Sequence, residues 1–261
     1  MNKAMQAIIK KDFQSVASNR RLFTSLLIVP LVLTIFLPSV FVLTAYFAPD
    51  DPDIQTMLKL LPVSSGSDST SLLLMDLIFN YILPVFFLVI PIMASSIMAA
   101  SSFVGEKEKH TLETLLYSPL TLHQIFRSKV LASFLLSMLV SLFSFLAMTI
   151  VVEAEILFLF GSFLLPKINW LILLALLSPG VSLIAVTLIV RGSAKARTME
   201  ESQQGAVFLI MPVLLLIAGQ FTGVMLLNAW ILLILSFLCI GLAWLLLKKA
   251  VKGFTYEMLL R

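Results

Sequence analysis

Six apolar runs, each about 20 residues or longer, decide what this chain can be. They occupy residues 22–47, 72–103, 125–152, 171–190, 206–227 and 229–247 of the 261. Inside a bilayer no water is available to satisfy backbone N–H and C=O groups, so each run must close its own hydrogen bonds as a helix. The composition agrees. The chain is 60% hydrophobic and only 12% charged, with a mean hydropathy of +1.06, where a soluble protein carries about 25% charged residues. No polar stretch is long enough for a separate soluble domain. The expected fold is therefore all-α, a single polytopic membrane domain over residues 1–261.

Ahead of the first run, residues 1–21 place Met5, Ile8, Ile9, Phe13 and Val16 at helical spacing, with Lys3, Lys10, Lys11, Arg20 and Arg21 around them. That pattern predicts an amphipathic helix lying in the membrane interface. A signal peptide is not expected, because the first run exceeds a 7–15-residue h-region. Pro30 and Pro38 fall within the first run, Pro84 and Pro91 within the second, and Pro179-Gly180 within the fourth. Between the first two runs, residues 53–61 could form one short helix and 64–71 a loop. The second run, at about 1.5 Å per residue, is longer than a hydrocarbon core of about 30 Å and must tilt, kink or project. Thr121 with Gln124 forms a capping-box pattern that opens the third run. Residues 156–165 read either as a continuation of that run or as a re-entrant piece. Trp170 is placed like an interfacial aromatic. Gly219 and Gly223 interrupt the fifth run and permit a helix break there. Cys239 is alone and lies within an apolar run, so it reads as a small core residue.

Lysines and arginines orient the spans. Five lie in the N-terminal segment, four at Lys107, Lys109, Arg127 and Lys129, three at Arg191, Lys195 and Arg197, and four at Lys248, Lys249, Lys252 and Arg261. With six spans these segments all fall on one side. Only Lys59 and Lys167 fall on the other, where Asp50, Asp51, Asp53, Asp68 and Asp76 gather. The positive-inside rule predicts that both termini are cytoplasmic. The overall pI of about 9.2 is thus explained by membrane topology and lipid headgroups, and no nucleic-acid partner is expected.

Between the second and third runs stands a charged island, residues 104–129, which begins Glu106-Lys107-Glu108-Lys109. Burying these charges at bilayer depth would cost roughly 2.5–3.5 kcal/mol each, so the island is in water. Thr111 can cap a short helix that Ser118-Pro119 ends, and Glu113 lies in its first turn, where the dipole favours an anion. Leu112, Leu115 and Leu116 would then share one face. Such a helix suits a partner's groove.

Several chemistries are excluded. His110 and His123 are the only histidines, there is no HExxH or zinc-spaced Cys/His set, and no GxxxxGK[ST] loop can cradle nucleotide phosphates. Catalytic and metal sites are therefore expected to be none. Asp76, Glu153 and Glu155 sit at the outer ends of spans, as headgroup-level residues. Residues 22–47, 78–103, 130–152 and 206–247 contain no Asp, Glu, Lys or Arg. A gradient-driven carrier needs such groups near the midplane. The source of work is expected to lie outside this chain.

Gly105-Glu106-Lys107-Glu108-Lys109, followed by Thr111-Leu112-Glu113-Thr114-Leu115-Leu116 and Ser118-Pro119, resembles the signature loop of ABC-2 type exporter permeases. The island lies between spans two and three, as it does in that family. Residues 193–204 are similar to the loop before span five in the sodium-extruder-like branch. His110 departs from the pattern, which usually has a small residue there, and no large extracellular domain is present.

The resemblance implies a permease subunit of an ATP-driven exporter in the cytoplasmic membrane of a prokaryote. Residues 104–124 would be its coupling loop, holding a cytoplasmic coupling helix. Two ABC ATPase subunits would bind ATP and Mg, and a second permease copy or a paralogue would complete the complex. Thr111, Leu112, Leu115, Leu116 and Tyr117 would enter the ATPase groove, with the three leucines contributing roughly 1.5–3 kcal/mol each. Glu106, Glu108 and Glu113 would pair with basic residues of the ATPase. Spans two and five would line the dimer interface and carry a substrate path past Asn80, Ser95, Ser96, Gln220 and Thr222, or those residues would simply pack helices. A mostly apolar lining suits an amphipathic, lipid-like, peptide or drug-like substrate. The alternatives are a secondary carrier and a non-transporting immunity or signalling scaffold.

Overall fold

A computed structural model describes residues 3–47, 70–108, 111, 120–193, 196, 198–221 and 228–253. The described residues are helical apart from short connections. Helix α1 is Lys3–Ser18. Six longer helices follow: α2 Leu22–Phe47, α3 Leu72–Glu108, α4 Leu122–Phe160, α5 Ile168–Gly192, α6 Met199–Gln220 and α7 Ala229–Val251. All six are long and apolar enough to cross a membrane. The expected helix 53–61 and residues 64–69 of the expected loop 64–71 lie outside the described residues, and Thr70 and Ser71 are already helical.

Helix α3 is the hub. Its apolar window is 83% buried, against 28% for α2 and 17% for α7. It packs along α4 and α5, receives the start of α6, and α5 in turn packs against α7. Helix α1 lies against α4. Large apolar side chains such as Phe36, Phe143, Phe208 and Phe237 stay exposed on α2, α4, α6 and α7, as expected of faces that meet lipid or another membrane subunit.

Three of the prolines shape their spans in the same way. Wide π turns occupy Val32–Phe36, Ile78–Ile82 and Leu173–Leu177. Each ends two residues before a proline: Pro38, Pro84 or Pro179. The proline ring clashes with the carbonyl four residues back and supplies no N–H, and an inserted residue relieves that clash. In α3 the consequence is visible. Pro84 cannot donate to Phe79 or Asn80. Their carbonyls accept instead from Trp170 Nε1 and Asn169 Nδ2, both at 3.0 Å, and the Tyr81 carbonyl accepts from Gln220 Nε2 at 2.8 Å.

Three sequence expectations change in detail, and one open alternative is decided. The first residues of the charged island are not loop, since α3 runs unbroken through Val104 to Glu108. Residues 156–160 continue α4, and Gly161 ends it with φ 66°, a left-handed conformation that glycine adopts without strain. Helix α6 begins at Met199, where the Thr198 hydroxyl caps it by accepting from Glu201 N at 3.2 Å. Trp170 is not an interfacial aromatic. It is 1% exposed and packs against Phe79, Phe87 and Phe145, with ring centroids 5.8, 5.5 and 5.1 Å away. The buried indole N–H finds its partner in the carbonyl that Pro84 leaves free.

Candidate functional site

The charged island leaves α3 and re-enters the bundle at α4. The return is fixed by the capping box read from the sequence: Gln124 N donates to Thr121 Oγ1 at 3.4 Å, and Thr121 N donates to Gln124 Oε1 at 3.0 Å. Two residues near the ends of the island then meet. Glu106, in the last turn of α3, forms an ion pair with Lys129 of α4 at 2.7 Å. Lys129 is only 1% exposed. It also donates to the Ser102 carbonyl and stands 5.3 Å from the centre of the Phe103 ring. Phe103 and Phe126 pack edge to face beside it. The two described ends of the island are thus clamped to each other.

Helix α1 completes the cluster. Lys11 pairs with the second carboxylate oxygen of Glu106, and Asp12 Oδ2 accepts from the Ser102 hydroxyl at 2.7 Å. Asp12 is buried, at the centre of the inward face of α1 between Ile8 and Val16. Burial raises its carboxyl above the ordinary value, while nearby Lys129 and the Ser102 hydrogen bond pull the other way. On another flank of α3, Gly105 admits the start of α6. A β-carbon at that position would stand 3.1 Å from Met199 Sδ. The N-terminal helix, both limbs of the island and the start of α6 therefore converge on one turn, Ser102–Glu106. A cavity of about 160 Å³ opens between α1 and α3, lined among others by Asp12, Ser15, Ser101, Ser102 and Thr111.

The expected coupling residues separate into three groups. Glu106 does not face outward to a partner's basic residues. It is 7% exposed and engaged by Lys11 and Lys129, because a carboxylate on the inner face of α3 needs cations from its own chain. Glu108 is exposed at the end of α3. Thr111 is tied back to α3, its N–H and hydroxyl donating to the Glu106 carbonyl at 2.9 and 3.3 Å. Leu112, Glu113, Leu115, Leu116 and Tyr117 lie outside the described residues. Sequence reasoning missed Asp12 and Lys129 as members of the site. A signal was present for each. Asp12 falls at i+4 from Ile8 and i−4 from Val16, on the apolar face, and Lys129 shares a helical stripe with Leu122, Phe126 and Ser133.

The expected path residues are closed inside the bundle. Asn80 is fully buried, donating to Asp76 Oδ1 at 2.9 Å and accepting from Lys167 N at 2.8 Å. Ser95 and Ser96 are buried and donate to the Ile92 carbonyl at 3.0 and 2.7 Å. Gln220 is buried on the Tyr81 carbonyl. Thr222 lies outside the described residues. Asn80 and Gln220 tie α3 to the start of α5 and to α6 at the proline break, whereas Ser95 and Ser96 bond back within α3. The acidic residues at that end are also engaged. Asp76 pairs with Lys167 at 2.5 Å, Glu153 accepts from Leu164 N at 3.2 Å, and Glu155 accepts from the Ser39 hydroxyl. Among the described residues no group of His, Cys, Asp and Glu is arranged to hold a metal ion.

A family model described as ABC-2 type transporter matches residues 3–233. The chain belongs to the ABC-2 type transporter family. It is a membrane-embedded permease component of an ABC transporter, and the six apolar helices are its membrane part. No curated protein matches the sequence with significance. In this ABC-2 transporter chain the matched residues run from α1 through the start of α7 and so include every member of the charged cluster.

Proposed function

We propose that this chain is the permease of an ATP-driven exporter whose ATPase docks on the island between α3 and α4. Two ATPase subunits would serve a pair of permeases, identical or paralogous, in a prokaryotic cytoplasmic membrane. Both termini and the island lie in the cytoplasm on this reading, as the Lys/Arg distribution favours. ATP-driven closure of the ATPase pair displaces the island, and α3 carries the motion into the bundle. The substrate class that suits the apolar spans is amphipathic: lipid-like, peptide or drug-like. ATP and Mg belong to the partner.

The observation that carries the reading is the clamped base of the island. A loop held by a buried ion pair between two long membrane helices can transmit force, which a slack connection cannot. Leu112, Leu115 and Leu116, which by their spacing would share one helical face, and the exposed Glu108 would offer the contact. Co-purification with the ATPase tests it. Replacing the three leucines with Asp is expected to abolish the complex and its ATP hydrolysis, and survival of both would overturn the docking helix. Flux driven by a proton or sodium gradient without ATP would favour a secondary carrier, and protease cleavage near Lys107 from outside the cell would invert the topology.

A further inference from the structure

We infer that the cluster of Lys11, Asp12, Ser102, Glu106 and Lys129 is the joint that carries displacement of the island into α1, with Lys129 as its positioning residue. This rests on the docking reading above. The geometry supplies three reasons. First, Glu106 and Lys129 belong to opposite limbs of the island, and their 2.7 Å pair makes those limbs move as one body. Secondly, the attachment of α1 to α3 is directional. Lys11 grips Glu106, and Asp12 takes the Ser102 hydroxyl at 2.7 Å, so α1 is fixed to the same helical turn that Lys129 holds through the Ser102 carbonyl. An apolar plug of equal volume would hold three helices together as well as buried charges do. What charges add is registry, because each atom has one assigned partner. Thirdly, the cavity between α1 and α3 leaves that seam loosely packed. Between α3 and α1, displacement therefore passes through the polar ties, while α1 keeps its packing against α4.

Spin-label distances in the purified permease–ATPase complex test this, with Cys239 replaced and labels placed in pairs. One label sits on α1 at exposed Gln14, one at the island base at exposed His123, and a reference at exposed Phe163 beyond α4. The wild-type complex is expected to shift both the His123–Phe163 and the Gln14–Phe163 distances when a hydrolysis-deficient ATPase binds ATP. Lys129→Met is expected to keep the first shift and lose the second, and Lys129→Arg to restore it. Lys11→Met combined with Asp12→Ala removes both ties of α1 to the Ser102–Glu106 turn, leaves the Lys129–Glu106 clamp in place and is expected to lose the Gln14 shift as well, so the idea stands or falls even if Lys129→Met does not assemble. A Gln14 shift of wild-type size in this double variant overturns the inference. A wild-type complex in which ATP moves neither pair refutes the docking reading instead.

Discussion

Lys129 and Lys11 hold the same carboxylate, yet their removal should have very different consequences. The side chain of Lys129 is 1% exposed and that of Lys11 is 51% exposed, while Glu106 is 9% exposed. Changing Lys129 to Met removes the 2.7 Å ion pair, the hydrogen bond to the Ser102 carbonyl and the cation over Phe103. It leaves Glu106 and Asp12 buried with only a solvent-screened cation nearby. Breaking one side of a buried pair typically costs about 3–5 kcal/mol. Changing Lys11 to Met removes a half-exposed partner, for which about 0–1 kcal/mol is usual. The two variants should therefore differ by roughly 2–5 kcal/mol, despite sharing Glu106. Unfolding in mixed micelles, followed by the fluorescence of the three tryptophans, measures both. Adding Glu106→Gln to each closes a double-mutant cycle, in which Lys129 should couple to Glu106 far more strongly than Lys11 does. A Lys129→Met protein within about 1 kcal/mol of wild type, or one no less stable than Lys11→Met, would refute the reasoning.

Two further outcomes follow from the geometry. Asp12 is raised by burial, with Lys129 and Lys11 lowering it and Glu106 raising it, so the fold favours the protonated carboxyl. Its contribution to stability is full below the ordinary value of 3.8 and is lost as pH rises through the higher folded value. Asp12→Asn keeps an acceptor for Ser102 and removes this dependence, so its stability advantage should grow with pH across that window and then level off. A pH series of unfolding midpoints in which the difference stays flat would contradict this. Gly180 allows α5 to approach α7 so closely that a β-carbon would meet Cys239 Cβ and Ile240 N, each at 3.2 Å. Gly180→Ala should therefore cost roughly 1–3 kcal/mol of overpacking, more than the about 1 kcal/mol that helix propensity returns. A more stable Ala variant in the same micelle assay would show that the helices can separate.

The spans were legible because hydrophobic runs report directly on the solvent each segment meets. Proline positions also carried information, since π turns precede Pro38, Pro84 and Pro179. The cluster at Glu106 was only half legible. Its negative charges stood out in the sequence, but charges read one at a time are placed in water. The inward turn of Glu106 depends on cations 95 and 23 residues away, at Lys11 and Lys129. Trp170 failed for the same reason. A tryptophan beside Asn169 and Lys167 looks like a belt residue until the Phe79 carbonyl, 91 residues earlier, is seen to need its N–H. Local patterns disclose which solvent a residue prefers, whereas long-range partners decide whether a polar group can leave water.

The proline break in α3 also bears on how such a chain is made. Three successive carbonyls, of Phe79, Asn80 and Tyr81, depend on donors 91, 89 and 139 residues further along. A chain synthesised from its N-terminus delivers α3 to the membrane long before Asn169, Trp170 and Gln220 exist. Until then those carbonyls face lipid, water defects or a temporary host without their final donors, each at a cost that hydrocarbon makes severe. The second span thus enters the bilayer as unfinished work that only the C-terminal half can complete. A quality-control protease can read that deficit directly. Nascent chains halted after residue 160 are expected to be cleared faster than chains halted after residue 192, which already carry two of the three donors.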